Sequence, residues 1–186
     1  MMRWINIIGY QLVWFVAVIG AAHDRIWPAL LVGVAFVASQ LVLAPKRSTE
    51  WRLLGMALIF GMLIDGVAVR MDWVCYATPS PSIPAHGAPM WILVLWLSFA
   101  MTINQSLAYL RDRWWLALAF GAIGAPLAYL GAQRGWRAVD FPHPAWRGLI
   151  WLSVCWAIAL PSLGLCARRF SLATRNAHIS AGAHHR

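Results

Sequence analysis

Runs of about 20 predominantly apolar residues recur six times along this sequence, and in hydrocarbon such a run has one common solution. Lipid offers no partner for a backbone N–H or C=O, so each run must pair its own peptide groups as a helix. The runs cover residues 4–22, 26–44, 53–69, 90–110, 115–133 and 148–167, with borders read to within about four residues. Composition agrees, because 61% of the 186 residues are hydrophobic and 11% are charged, too few charges to keep a soluble domain of this size in solution. The expectation is an all-α integral membrane bundle of about six transmembrane helices, a single domain over 1–169, followed by a polar, disordered cytoplasmic tail over 170–186.

The net charge of +9 could suggest a nucleic-acid partner, but Lys and Arg fall between the apolar runs rather than on one polar face. No nucleic-acid partner is expected, and the charges are read as orientation signals. With the N-terminus inside, the inner segments hold Arg3, Lys46, Arg47, Arg52, Arg111, Arg113, Arg168, Arg169, Arg175 and Arg186, ten of the 15 basic residues. The outer segments hold Arg25, Arg70, Arg134, Arg137 and Arg147. This bias predicts cytoplasmic N- and C-termini and a multi-pass protein of the cell inner membrane. Tryptophan gives a second signal for the borders: ten of the 13 (Trp4, Trp27, Trp51, Trp73, Trp91, Trp114, Trp115, Trp136, Trp146 and Trp151) fall near proposed helix ends, where an indole favours the headgroup region. The first run could be mistaken for a cleaved signal peptide, but Asn6 and Gln11 interrupt it and it is long enough to span.

The connection 70–89 carries Pro79, Pro81, Pro84 and Pro89 and reads as an extended outer surface loop. In the fifth run, Ala117, Gly121 and Ala125 form one line of small residues and Gly124, Ala128 and Ala132 the next, a spacing that lets a neighbouring helix approach closely. Pro126 and Pro161 each remove a helix hydrogen bond and read as structural kinks.

Polar side chains inside the runs are the candidate binding positions. Asp65 has two readings: a deep carboxylate, about 18 Å from the inner end of its helix and functional by default, or an interface residue on a helix that ends early at Gly66. Gln11, Gln40 and Asn104 fall at similar depth, with Gln105 and Ser106 adjoining, and predict an inner amide layer. Amides cannot ionise, so this layer suits interhelical hydrogen bonding or recognition of a polar head group better than proton transfer. His23, His86 and His143 lie one in each outer connection, and no two share a helical face, so no metal site is expected. His184 and His185 read as solvated. The three cysteines, Cys75, Cys155 and Cys166, form no CxxC pair and no disulfide framework. No nucleophile elbow, phosphate-binding loop, dinucleotide fingerprint or paired intramembrane His or carboxylates are present, so no catalytic residue and no cofactor are assigned.

Several segments carry a resemblance: Tyr10-Gln11-Leu12-Val13-Trp14-Phe15 with Gly20-Ala21-Ala22, the Asp65-Gly66 step, Trp96 followed by Thr102-Ile103-Asn104-Gln105-Ser106-Leu107, and Gly124-Ala125-Pro126-Leu127-Ala128-Tyr129. Their order resembles a domain-of-unknown-function family of small polytopic inner-membrane proteins of Gram-negative bacteria. The resemblance implies a stand-alone membrane protein and brings no activity with it. Where that family's pattern often has His after Asn104, this chain has Gln105, which counts against a titratable role there. The resulting expectation is a non-catalytic membrane component whose partners are membrane lipids or another membrane protein. Alternatives are a small transporter or permease subunit using Asp65, with Pro126 and Pro161 as hinges, and an intramembrane lipid-modifying enzyme.

Overall fold

The computed structural model describes residues 2–44 and 47–183, with side chains described from residue 3 to residue 170. Lys46, His184, His185 and Arg186 lie outside the described residues. Six α-helices follow one another: α1 (Met2–Ala22), α2 (Trp27–Leu43), α3 (Arg47–Arg70), α4 (Met90–Ile103), α5 (Trp114–Trp136) and α6 (Trp146–Ala183). Four of them, α1, α3, α5 and α6, are long and apolar enough to cross a membrane, whereas α2 and α4 are shorter apolar helices of 17 and 14 residues. The chain is thus an all-α membrane bundle, with α6 continuing to Ala183 into the segment read from sequence as a tail.

The shortness of α4 follows from where it sits. Eleven of its 14 residues are buried, and it packs on α1, α2, α3 and α6, so it forms the axis of the bundle. A helix that is apolar all round belongs inside, and about 21 Å of helix suffices for one that meets protein rather than lipid. It ends before the polar Asn104-Gln105-Ser106 step, where Leu107 N–H bonds back to the Thr102 carbonyl at 2.9 Å, and a 3-10 turn (Ala108–Leu110) follows. The outer helices instead turn large apolar side chains outward, among them Ile8 and Leu12 on α1, Leu31 and Val34 on α2, and Leu127 on α5. Trp4, Trp27, Trp51, Trp114, Trp115 and Trp146 are well exposed, as border tryptophans should be. Trp91 is not one of them, since it lies fully buried beneath the connection between α3 and α4.

The connection between α3 and α4 is not the extended surface loop its prolines suggest. It folds back over the bundle as a cap in which β1 (Cys75–Tyr76) pairs antiparallel with β4 (Val139–Asp140), and β2 (Ser82–Ile83) with β3 (Ala88–Pro89). Proline forbids a helix here, but ladders two residues long still pair part of the backbone over an apolar mouth. Tyr76, Thr78 and Ala88 are buried, and the Thr78 hydroxyl donates to the Ala21 carbonyl at the end of α1 (2.7 Å). The helix ends feeding this side share one device. Asp24, Asp72 and Arg137 all adopt left-handed conformations (φ 55, 54 and 55°), letting the next N–H groups turn back onto the last carbonyls, as Arg25 N–H does onto Gly20 O at 2.8 Å.

The small residues of α5 divide into two roles. Ala117, Gly121 and Ala125 are buried, and a Cβ at Gly121 would run into the Trp156 carbonyl, so this line seats α6 directly on α5. Ser153 Oγ adds a hydrogen bond to the Ala122 carbonyl across the same contact (2.7 Å). The second line, Gly124, Ala128 and Ala132, walls a cavity that Gly121 and Ala125 of the first line also border. Pro126 and Pro161 both lie within continuous helices.

Candidate functional site

Asp65 is wholly buried within the protein, about 7.5 Å along α3 from its Arg70 end. The helix does not end at Gly66 but continues to Arg70, and the cap then closes over it. Three neutral donors converge on the carboxylate. Tyr76 of the cap and Tyr129 of α5 donate their hydroxyls to Oδ1 at 2.5 and 2.6 Å, and Trp96 of α4 donates its indole N–H to Oδ2 at 2.6 Å. Four separate pieces of chain therefore meet at one side chain. Local sequence prepares the contact: Gly61 lies one turn from Asp65 on the same face of α3, and its missing side chain leaves room for the Trp96 ring, 2.7 Å from where a Cβ would stand. Burial, and then the neighbouring Asp65, push the Tyr76 phenol well above its ordinary range, so the hydroxyl keeps the proton with which it donates.

The predicted inner layer exists in altered form, as two adjoining knots. In one, Asn6 Nδ2 donates to Gln40 Oε1 (2.9 Å) and to the Met101 carbonyl (3.2 Å), while Ser106 Oγ donates to Asn6 Oδ1 (2.7 Å). In the other, Asn104 bridges opposite charges, donating to Glu50 Oε1 (2.9 Å) and accepting from Arg111 Nη1 (2.8 Å). Gln105 is half-buried beside them. Gln11 lies on the exposed face of α1, and its place is taken by Asn6. The reason is angular: five residues turn an α-helix by about 140°, so Asn6 and Gln11 cannot both face the core. The buried row of α1 runs through Asn6, Val13, Ala17 and Ala21, whereas Ile8, Leu12, Phe15 and Ile19 face outward.

Between α1, α4, α5 and α6 lies a partly open cavity of about 180 Å³. Aromatic rings make much of its wall, with Tyr10 and Trp14 from α1, Trp96 and Phe99 from α4, and Trp156 from α6 together with the small residues of α5. Trp96 and Trp156 stack with centroids 4.0 Å apart and planes inclined by 18°, and Phe99 meets Trp156 edge-on at 5.2 Å. Asp65 does not line the cavity, but two of its three donors, Trp96 and Tyr129, do. The carboxylate thereby fixes the orientation of the wall from behind. Sequence reading missed Tyr76, Tyr129, Asn6, Glu50 and Arg111. Only Asn6 left a local signal, its position on the buried row of α1. The others come from segments far apart in the chain.

Among the described residues, no three His, Cys, Asp or Glu side chains gather as metal ligands, and His23 instead bonds the Ile19 carbonyl through Nδ1 at 2.9 Å. The fold and site together define a helical membrane protein, built round a buried axial helix, with an aromatic cavity held by an enclosed carboxylate. The chain belongs to the family described as protein of unknown function (DUF2878), which matches residues 3–162 and so takes in the cap, Asp65 and the cavity wall. No curated protein and no solved structure matches the chain.

Proposed function

We propose that this protein is a non-catalytic, multi-pass component of a bacterial inner membrane, with both termini cytoplasmic, that holds a lipid-like molecule between α1, α4, α5 and α6. The observation that carries this reading is the cavity of about 180 Å³, walled by aromatic rings and by Gly and Ala of α5. A dry apolar cavity of roughly 150 Å³ accepts a benzene-sized ring, so this one suits a ring or a short length of chain. No charged side chain lines it, which favours retention of an apolar guest over chemistry upon it. Asp65, fully enclosed and bonded on both oxygens, supports the wall better than it would serve an ion pathway.

The test is the lipid that co-purifies in mild detergent, extracted and counted by mass spectrometry. Gly124→Leu would fill the cavity from α5, where a new Cβ meets only the Phe120 ring at an ordinary 3.7 Å. Bound lipid should fall at least about fivefold without loss of folding, as expected when a preformed apolar site is filled. Retention of the same lipid at wild-type stoichiometry would remove the cavity from the function.

Orientation has its own test in Cys75, exposed on the cap, whereas Cys155 and Cys166 lie within α6. A membrane-impermeant maleimide applied to intact spheroplasts should label Cys75 alone. Desolvation, and then Asp72 and Asp140, push this thiol up, so its thiolate is scarce at neutral pH. Labelling should therefore be slow near pH 7 and accelerate as pH rises. Labelling only after the membrane is opened would reverse the proposed topology.

A further inference from the structure

We infer that the end of the bundle opposite the cap binds the head group of an anionic phospholipid, through arginines that α3, α6 and the 3-10 turn bring to one corner; this site is separate from the cavity. The arginines are far apart in the chain, and side-chain and backbone contacts gather them. Arg111, which follows the 3-10 turn, lies against α6, with its Cα 3.5 Å from where a Cβ on Gly164 would stand. About one turn further along α6, Arg168 Nη1 meets Asp112 Oδ1 at 3.4 Å. The Arg52 guanidinium of α3 lies over the Phe170 ring of α6, 5.5 Å from its centroid. Asn104, at the end of α4, closes the corner by accepting from Arg111 and donating to Glu50, which shares the first turns of α3 with Arg52. Arg113 and Arg169 adjoin, and both are exposed.

Positive charge is in excess here. Of the six acidic residues in the chain, Asp24, Asp72 and Asp140 stand at the cap and Asp65 beneath it, which leaves Glu50 and Asp112 for this end. Glu50 is buried and bonded to Asn104, and the Asp112–Arg168 pair is an exposed one of the kind worth little in water. Among the described residues, no carboxylate lies within ion-pair distance of Arg52, Arg111, Arg113 or Arg169. The sequence beyond Asp140 contains no further Asp or Glu. The surroundings favour a lipid over a soluble anion. Trp51, Trp114 and Trp115 are all more than half exposed at this end, where indoles favour the headgroup layer, and Leu165 of α6 offers apolar surface beside it. A zwitterionic head would bring its own ammonium up to unpaired guanidinium groups, whereas each arginine near a membrane surface strengthens anionic binding about fivefold.

The test measures lipid binding to the full chain in neutral detergent by native mass spectrometry, with dioleoylphosphatidylglycerol and dioleoylphosphatidylcholine as probes. The phosphatidylglycerol should bind at least about tenfold more tightly, and its binding should weaken as salt is raised. Arg52→Gln combined with Arg168→Gln should weaken phosphatidylglycerol about ten- to thirtyfold and leave phosphatidylcholine unchanged. Arg25→Gln combined with Arg147→Gln removes the same charge at the cap and should change neither lipid by more than about twofold. Gly124→Leu should also leave phosphatidylglycerol binding intact, so that loss of a cavity lipid and loss of this site are read separately. Equal affinity of the wild-type protein for the two lipids, or wild-type binding by the Arg52/Arg168 variant, would overturn the site. An equal loss in the Arg25/Arg147 variant would reduce the effect to net charge and overturn it too. Displacement of phosphatidylglycerol by an equimolar amount of inorganic phosphate would overturn the lipid as the source of the anion.

Discussion

Asp65→Ala is expected to lower the stability of the bundle by about 3–5 kcal/mol, the largest loss from any single polar truncation in the protein. The substitution leaves three donors, the Tyr76 and Tyr129 hydroxyls and the Trp96 indole, aimed at an apolar methyl group. Each orphaned donor costs about 1–3 kcal/mol, and the sum falls towards the lower end because hydroxyls can rotate towards one another. Asp65→Asn should lie between wild type and Ala. Its carbonyl can still accept from the two tyrosines, but its amide group would then confront the Trp96 N–H, donor against donor. Thermal unfolding in detergent, followed by tryptophan fluorescence, would rank the three proteins. Limited proteolysis should also cut the 71–89 connection faster in Asp65→Ala, since Tyr76 ties that segment to α3. Wild-type melting and an uncut cap in Asp65→Ala would mean that the carboxylate does not hold the wall. The same variant should lose bound lipid, because Trp96 and Tyr129 are shared between Asp65 and the cavity.

Gly121→Leu is the second change with a large expected effect, about 3 kcal/mol or more, with misassembly of α5 on α6. Any Cβ at this position would overlap the Trp156 carbonyl, and what it meets is backbone, which cannot rotate aside. The two helices would have to separate along the interface sealed by Ala117, Ala125 and the Ser153–Ala122 hydrogen bond. The contrast with Gly124→Leu, three residues along the same helix, is informative because the cavity there receives the side chain. Gly55→Ala offers the opposite sign, since nothing lies within 4 Å of its Cβ, and a helical Gly→Ala change in open space gains about 0.5–1 kcal/mol. Melting temperatures and gel-filtration profiles of the three variants should fall in the order Gly55→Ala highest, Gly124→Leu near wild type and Gly121→Leu lowest. A Gly121→Leu protein that melts with wild type would contradict the close backbone approach.

Much of the helical order was legible because membrane-spanning sequence obeys a strong constraint. The six apolar runs became six helices, and the exposed tryptophans Trp4, Trp27, Trp114 and Trp115 mark borders as their chemistry suggests. Errors gathered where sequence depth stood in for direction. Gln11 and Asn6 are both polar interruptions of the first run, but only their angle about the helix axis decides which one turns inward. The run 90–110 read as one continuous helix because its composition stays apolar past the Asn104-Gln105-Ser106 step, whereas α4 ends at Ile103 and a 3-10 turn follows.

By itself, then, the sequence determined that the chain must be helical, apolar on its outside and closely packed along α5, since those properties follow from local composition and spacing. Tertiary structure alone decided what Asp65 is. Its partners stand 11, 31 and 64 residues away along the chain, in a cap, a buried axial helix and α5, and no local pattern records such distances. The cavity has the same origin. Small residues predict close approach wherever a helix arrives, and only the placement of α6 against the Gly121 line left the neighbouring Gly124 line facing open space ringed by aromatic side chains.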